Sequence, residues 1–164
     1  MAVTAARHGT RGAVACIVCQ GLNPRQFLLL KRDGDLLAPR QRFGLPAVRL
    51  EAGEAVPVAA ARAVEEECSL TADTLRWHPV PITASTSTWD SNADSFLVAY
   101  CFAWYSPPKE SFPNPHEDRL RWMCRQSLKD LCLKQGLGLG FAREVLEPLQ
   151  IAERLIDKQL VGAE

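Results

Sequence analysis

Apolar residues follow two different spacings along this chain, and each spacing predicts one kind of element. Continuous apolar runs typical of buried strands occur within 12–20 and 95–105, and shorter apolar segments that predict strands occur at 26–32, 75–85 and 120–124. Apolar residues at helical spacing occur at 55–68, 127–133 and 141–160. The alternation of strands and helices predicts an α/β fold.

Prolines and a glycine-containing turn divide these segments. The turn at 21–24 joins the first two predicted strands into a hairpin. Pro79 and Pro81 interrupt the third strand, so we expect it to lie at an edge or to be bulged. Pro148 lies inside the last helical pattern and is expected to kink or divide that helix.

The predicted helix at 55–68 carries three consecutive glutamates, Glu65, Glu66 and Glu67. On a helical wheel the buried stripe is expected to consist of Ala60, Ala61, Val64 and Cys68. Glu66 and Glu67 then flank a polar edge beside that stripe, and Glu65 points to water.

Two carboxylates on one face of a helix, close to a tight turn that carries Glu54, have two interpretations. Mg²⁺ and Mn²⁺ prefer oxygen ligands, so Glu66 and Glu67 are candidate ligands of a hard cation. A run of charges is also the ordinary composition of a solvated helix face. The glutamates alone leave both interpretations open.

The spacing around these glutamates resembles the Nudix box, G-x5-E-x7-R-E-U-x-E-E-x-G-U, where U is a bulky aliphatic residue. Six specified positions match, namely Glu54, Arg62, Val64, Glu66, Glu67 and Leu70. Three positions depart from it, namely Val48 at the first glycine, Ala63 at the glutamate after the arginine, and Ser69 at the last glycine. The preceding Leu45-Pro46 matches the dipeptide that commonly leads into the box.

The resemblance implies a Nudix-like α/β/α sandwich, with a mixed central sheet between the helix at 55–68 and the C-terminal helix. It implies a metal-dependent hydrolase that cleaves the pyrophosphate bond of a nucleoside diphosphate linked to another moiety, with Mg²⁺ or Mn²⁺ as cofactor. Glu66 and Glu67 carry over as catalytic metal ligands, and Glu54 as a metal contact or a brace of the loop. Arg62 is expected to pair with Glu66 or Glu54. A homodimer is a further implication.

Ala63 is the departure with the largest consequence, because the wheel places it between Glu66 and Glu67, where the family has a metal ligand or base. A methyl group supplies neither. Three outcomes are therefore open: a weakened enzyme, an enzyme whose base comes from another loop, or a catalytically impaired module that binds a nucleotide or a protein. Val48 adds to the question, since a β-branched residue disfavours the positive φ that glycine permits.

Further candidates lie outside the box. Arg42 and Arg49 belong to a local excess of basic residues before the helix, where phosphate or ribose could bind, although ordinary surface side chains have the same composition. Trp89, in the polar loop at 86–94, is either a platform for a base or a core plug. Glu117 best matches the acidic residue that in Nudix proteins often completes the metal site or serves as base, with Asp118 second.

Composition places the chain among soluble globular proteins, with 47% hydrophobic and 23% charged residues among 164. Residues 12–164 suit a single domain, and 1–11 are expected to form a lead-in. The 19 basic residues balance the 19 acidic ones, so no overall field attracts nucleic acid or an anionic membrane. A nucleotide-type small molecule remains compatible, because bound metal would supply positive charge.

The six cysteines lie mostly in apolar runs and show no disulfide framework. Cys16 and Cys19 form a CxxC, which as a third interpretation suggests a thiol or zinc protein, but no second pair stands at zinc-ribbon spacing. No run approaches the ~20 apolar residues of a spanning helix, and no secretory signal opens the chain. A cytoplasmic location is the resulting expectation.

Overall fold

The computed structural model describes residues 11–21, 25–32, 42–87, 96–106, 119–135 and 145–162. Within them the strands are β1 (Arg11–Gln20), β2 (Gln26–Arg32), β3 (Arg42–Gly44), β4 (Ala47–Arg49), β5 (Leu75–Trp77), β6 (Thr83–Ser87), β7 (Phe96–Tyr105) and β8 (Leu120–Met123). The α-helices are α1 (Val56–Cys68), α2 (Arg125–Gln135) and α3 (Glu147–Gly162). A 3₁₀ turn, Ala72–Thr74, follows α1. The predicted lead-in and the glycine-rich segment 136–140 lie outside the described residues, except that Arg11 begins β1.

The strands form a mixed sheet in the order β3-β2-β1-β7-β5, with β4 on β1, β6 on β7 and β8 on β2. The central pair, β1 and β7, is parallel and in register from Arg11 opposite Phe96 to Cys19 opposite Trp104. The other pairings are antiparallel, including the predicted hairpin of β1 and β2. Both long apolar runs of the sequence therefore form the centre of the sheet, where both faces are buried.

Successive residues of β1 point to opposite faces of the sheet and belong to two apolar layers. One layer joins α3 to the sheet through Ala13, Ala15, Ile17, Cys19, Leu149, Ala152 and Ile156. The other joins α1 to the sheet through Val14, Cys16, Val18, Ala60, Ala63, Val64 and Cys68. The α/β/α arrangement predicted from the sequence is confirmed.

The two prolines of the third predicted strand divide it into β5 and β6, both of which pair with β7. Backbone bonds from His78 N to Phe102 O, 2.8 Å, and from Ile82 N to Tyr100 O, 2.9 Å, continue the pairing across the interruption. Pro79 and Pro81 therefore sit in a bulged section at the edge of the sheet, as predicted, where no ladder donor is lost.

Pro148 was expected to kink or divide the helical pattern at 141–160. The helix α3 runs unbroken after it, and a π turn at residues 145 and 146 precedes α3. Pro148 is the second residue of α3, where the missing N–H has no intrahelical partner to lose. The predicted stripe of Val145, Leu149, Ala152 and Ile156 is buried throughout.

The helix α2 begins two residues before its predicted start. Leu128 N donates to Cys124 O at 3.2 Å, which places Cys124 at the N-cap position of α2. Arg125 in the first turn of α2 pairs with Glu153 of α3 at 2.8 Å and so links the two helices. None of the described helices is long and apolar enough to span a membrane.

Candidate active site

A tight turn leads into α1 and determines where its first side chains lie. Glu54 N donates to Glu51 O at 3.0 Å, and Gly53 has a φ of 75°, which only glycine adopts without strain. Ala55 is extended and its carbonyl accepts the first helical bond, from Ala59 N, at 3.1 Å. Pro57 lies in the first turn, where the N–H that proline lacks has no partner within the helix.

Arg62 connects this turn to the helix through a two-point contact with Glu54. Its Nε donates to Glu54 Oε2 at 3.0 Å and its Nη2 to Glu54 Oε1 at 2.9 Å. Nη2 also donates to Arg49 O at 2.7 Å, at the end of β4. The Glu54 side chain is only 9% exposed, so this forked pair is largely shielded from water and holds the strand, turn and helix together.

The pairing shifts the pKa of both groups. Hydrogen bonds from Arg62, and then from the Glu51 backbone N–H, lower the pKa of Glu54 below its ordinary value. The carboxylate of Glu54 in turn raises the pKa of Arg62. Both groups therefore stay charged at neutral pH. These contacts support the bracing role that the resemblance offered for Glu54, and its direct contact with metal stays a prediction.

Replacing Glu54 with glutamine is expected to lower the free energy of unfolding at pH 7 by about 1.5–3 kcal/mol, because a charged, two-point hydrogen bond is lost. The folded-state pKa of Glu54 is lowered, so its stabilisation is complete above the unfolded pKa and disappears as pH falls through the folded one. Urea unfolding of both proteins between pH 7 and pH 3 measures the difference, which should shrink below about pH 4.5.

Glu51→Gln is the matched control, because Glu51 is 73% exposed and 3.9 Å from the same guanidinium. Its effect should stay within about 0.5 kcal/mol at every pH. An equal loss for both variants would contradict the bracing role of Glu54.

Glu66 and Glu67 lie side by side towards the end of α1 in different environments. The Glu66 side chain is 57% exposed, and its Oε2 lies 3.5 Å from Arg62 Nη1. Glu67 is half-buried, and its Oε1 accepts a long hydrogen bond of 3.4 Å from Ala47 N in β4. Glu65 is exposed, as predicted. The sequence predicted the exposure of Glu65 and Glu66 correctly. The contact of Glu67 with Ala47 N–H was missed, because a backbone donor leaves no side-chain signal in the sequence.

The helical wheel predicted the burial of Ala60, Val64 and Cys68 correctly but was wrong about the position of the buried arc of α1. The buried residues are Ala59, Ala60, Ala63, Val64 and Cys68. The predicted arc included Ala61, which is partly exposed, and omitted Ala63, which is completely buried. The observed arc is rotated towards the glutamates because α1 packs against β4 as well as β1. Glu67, at about 140° on the wheel, therefore lies in the middle of the buried arc rather than at its edge.

The other two departures from the box are accommodated by the backbone. Val48 lies in β4 opposite Val14 and packs against the α1 layer. Its φ is not positive, so the expectation that a β-branched residue conflicts with the local backbone is wrong. Among described non-glycine residues only Ser69 has a positive φ, 55°, at the end of α1, where its N–H donates to Glu65 O at 3.0 Å. A serine there adopts the left-handed cap that glycine adopts more readily.

The remaining predicted site residues are only partly described. Arg49 is exposed beside the α1 turn, and Arg42 begins β3 opposite Arg32, though its side chain is not described. Trp89, Glu117 and Asp118 lie outside the described residues. Within the described part of the chain, no three or more His, Cys, Asp or Glu side chains are grouped so that they could hold a metal ion.

The two cysteines of the CxxC do not form a site. Cys16 belongs to the α1 layer, and its Sγ donates to Ala60 O at 3.4 Å, whereas Cys19 belongs to the α3 layer. Residues three apart on a strand face opposite ways, so the two thiols cannot share a ligand. Burial raises the pKa of Cys16 and raises that of Cys19 to about 12, so both remain protonated. The geometry contradicts a zinc or dithiol site at this CxxC.

Solved structures share this architecture over most of their length. The Ap4A hydrolase of C. elegans has a TM-score of 0.67 and 17% identity, with 90% of this chain and 98% of that chain covered. The Nudix hydrolase RenU of M. smegmatis has a TM-score of 0.62 and 18% identity, covering 88% and 87%. The NUDIX domain of Shewanella oneidensis NrtR, complexed with ADP ribose, has a TM-score of 0.58 and 14% identity, covering 89% and 88%.

At such low identity these likenesses show the fold, and they confirm the predicted Nudix-like sandwich. No curated protein matches the chain. The family model described as NUDIX domain matches residues 9–147, which is most of the sequence and includes the whole box. The chain belongs to the Nudix family.

Proposed function

We propose that this protein is a metal-dependent hydrolase of the pyrophosphate bond in a nucleoside diphosphate linked to another moiety. The observation that carries the proposal is the pair Glu66 and Glu67 on a helix whose start is braced by Glu54 and Arg62. Glu67 is held by Ala47 N–H inside the buried arc, and Glu66 is open to solvent beside it. Two neighbouring carboxylates on one helix are suited to a hard cation.

The carboxylates of Glu66 and Glu67 fit Mg²⁺ or Mn²⁺ when phosphates and water supply the other ligands. These cations often take one or two carboxylates from a protein and their other ligands from phosphates and water. Glu66 and Glu67 would hold the cation in our proposal, with Glu54 bracing the turn. When bound, the cation would polarise a phosphoryl oxygen and acidify a water molecule. The carboxylates would position the cation, whose charge would offset their repulsion of the diphosphate.

The other predicted residues take roles around this pair in the proposal. Glu117 precedes β8 closely in sequence and is our candidate for the base that Ala63 does not supply. Arg49 and Arg42 are candidate phosphate contacts, and Trp89 is a candidate platform for the base of the nucleotide. A homodimer and a cytoplasmic location stay predictions.

A substrate panel tests the proposal. Diadenosine tetraphosphate, ADP-ribose, a nucleotide sugar and a nucleoside triphosphate are incubated with the protein and Mg²⁺, Mn²⁺ or chelator. We expect release of a nucleotide product from at least one compound with a divalent cation, and none with chelator. Chromatography of the products identifies the bond that is broken.

The second candidate is a Nudix module that binds nucleotide without hydrolysing it. The observation that favours it is Ala63, which is completely buried where the box has a glutamate. Nucleotide binding by calorimetry without turnover of any panel member would support this candidate and contradict the first.

A further inference from the structure

Two aromatic rings stack on each other at the end of the sheet where β1 and β7 finish. Tyr105 is the last residue of β7 and Trp122 lies in β8. Their ring centroids are 5.6 Å apart, with an interplanar angle of 17°. Both side chains are partly exposed, and we call the pair the aromatic stack. Because aromatic faces attract one another in offset parallel arrangements, a third planar ring can extend it.

The aromatic stack lies on the same face of the sheet as α1. Tyr105 and Trp122 both pack against the α1 layer, and Trp122 is opposite Leu28 in the register of β2 and β8. The helix itself packs mainly on β1, β4 and β7, so Trp122 lies beside the area that the helix covers. Part of this face is therefore covered by aromatic side chains instead of by α1.

Two glutamines lie next to the aromatic stack and form an amide pair. Gln20 and Gln26 are opposite each other in the β1–β2 hairpin, and Gln20 Nε2 donates to Gln26 Oε1 at 3.2 Å. Both point to the α1 face, because the residues two positions away in each strand belong to the α1 layer. The parallel register of β1 and β7, continued by one residue, places Tyr105 beside Gln20. An amide has two N–H donors and a carbonyl acceptor, so the amide pair can make further hydrogen bonds.

The chemistry of these four side chains is that of a site for a nucleobase. They carry no charge, and they combine aromatic faces with amide groups. Bases stack on aromatic side chains whatever their sequence. The amide of glutamine can also pair with the donor and acceptor on the edge of adenine. An adenine ring on the aromatic stack would therefore find both kinds of contact.

The distance from the glutamates is compatible with a nucleotide. Glu67 contacts Ala47 N, and Ala47 is opposite Ala15 of β1. Gln20 lies five residues further along the same strand, which corresponds to about 16 Å. That separation leaves room for phosphates and a pentose between a cation at Glu67 and a base on the aromatic stack.

We infer that the aromatic stack and the amide pair form a binding site for a nucleobase, and that adenine fits it best. The inference rests on the proposed function, since the base belongs to the nucleotide whose diphosphate is cleaved at Glu66 and Glu67. The site is additional to the platform proposed at Trp89. Its contacts with the base need no cation.

Calorimetric titration of the full chain with AMP, in the presence of chelator, tests this inference. Chelator removes any contribution of a cation to binding. We expect AMP to bind, and Trp122→Leu to weaken its binding about tenfold or more, because one base–aromatic contact is lost. Tyr105→Phe keeps both rings and should bind AMP as the unsubstituted protein does. Absence of AMP binding by the unsubstituted protein would overturn the inference.

Trp77→Leu is the matched control for Trp122→Leu. Trp77 is also a partly buried tryptophan that packs against the α1 layer, but it lies on β5 outside the aromatic stack. Its removal should leave the affinity for AMP unchanged. Equal affinities of Trp122→Leu and the unsubstituted protein, with both folded by circular dichroism, would limit the aromatic stack to a structural role. An equal loss in both tryptophan variants would show a general effect of packing, and either result would overturn the inference.

Gln26→Leu tests the amide pair and does not depend on the folding of Trp122→Leu. Gln26 is partly exposed at the start of β2, so the substitution leaves the apolar layers in place. We expect the unsubstituted protein to bind AMP more tightly than UMP, and Gln26→Leu to reduce that preference, because an amide that reads the edge of adenine is lost. An unchanged preference would contradict the role of the amide pair.

The outcomes separate this inference from the proposed function. Cation-dependent turnover whose KM is the same for Trp122→Leu and the unsubstituted protein would overturn the inference and leave the function intact. Binding of AMP that depends on Trp122, without turnover of any panel member with any cation, would support the inference and contradict the hydrolase.

Discussion

Substitution of Ala63 by glutamate, the residue that the Nudix box specifies, is expected to lower the free energy of unfolding by about 3–5 kcal/mol. Ala63 is completely buried between α1 and the sheet, among side chains that are small or apolar. A glutamate there must displace its neighbours. It also places a carboxylate in the apolar layer between α1 and the sheet. The half-buried Glu67 one turn later adds a like charge. Urea unfolding followed by circular dichroism measures the loss.

Val58→Glu is the matched control for this substitution. It adds the same carboxylate to the same helix at a side chain that is 59% exposed, so the change should stay within about 0.5 kcal/mol. If Ala63→Glu is as stable as Val58→Glu, position 63 opens towards the site and the burial of Ala63 does not restrict it. If the expected loss of stability is found, a low activity of Ala63→Glu reflects unfolded protein as well as any change in catalysis.

Replacement of Glu67 by glutamine is expected to reduce turnover by about 10²-fold or more, because the cation that Glu67 would help to hold contributes several kcal/mol of transition-state stabilisation. Glutamine keeps the shape of the side chain and an oxygen that can accept from Ala47 N–H. The fold should therefore survive, and only the charge that attracts the cation is lost. The rate on the best substrate of the panel, with saturating Mn²⁺, is the measurement.

Glu65→Gln is the control for Glu67→Gln, since it removes the adjacent carboxylate from an exposed position of α1. Its rate should match that of the unsubstituted protein. Equal rates for Glu67→Gln and the unsubstituted protein, at equal stability, would exclude Glu67 from the proposed site.

The elements of this fold could be predicted because their signals are local. The continuous apolar runs of β1 and β7 can be buried on both faces only at the centre of a sheet, and that is where they lie. Pro79 and Pro81 also predicted an edge of the sheet from local chemistry alone, because proline has no backbone N–H to donate to a neighbouring strand. The position of Pro148 within its helix was harder to predict, because it depends on where α3 begins, and apolar spacing alone does not determine that.

The site was harder to predict because it depends on contacts between distant segments. The spacing predicted that Arg62 pairs with Glu66 or Glu54, and the structure shows that the two-point contact is with Glu54. The spacing did not predict which residues α1 buries, because packing against β4 determines the width of the buried arc. The burial of Ala63 and the bond from Ala47 N–H to Glu67 both result from that packing, and neither has a signature in the sequence.

The central claim is that water attacks phosphorus in a nucleotide diphosphate at Glu66 and Glu67 with a divalent cation. The most direct test is turnover in ¹⁸O-labelled water, with the products analysed by mass spectrometry. We predict that Mn²⁺ gives two phosphorylated products, one of which carries a single ¹⁸O on the phosphorus that water attacked, and that chelator or Glu67→Gln suppresses this label. A protein that binds the nucleotide but yields no labelled product under any metal condition would contradict the claim.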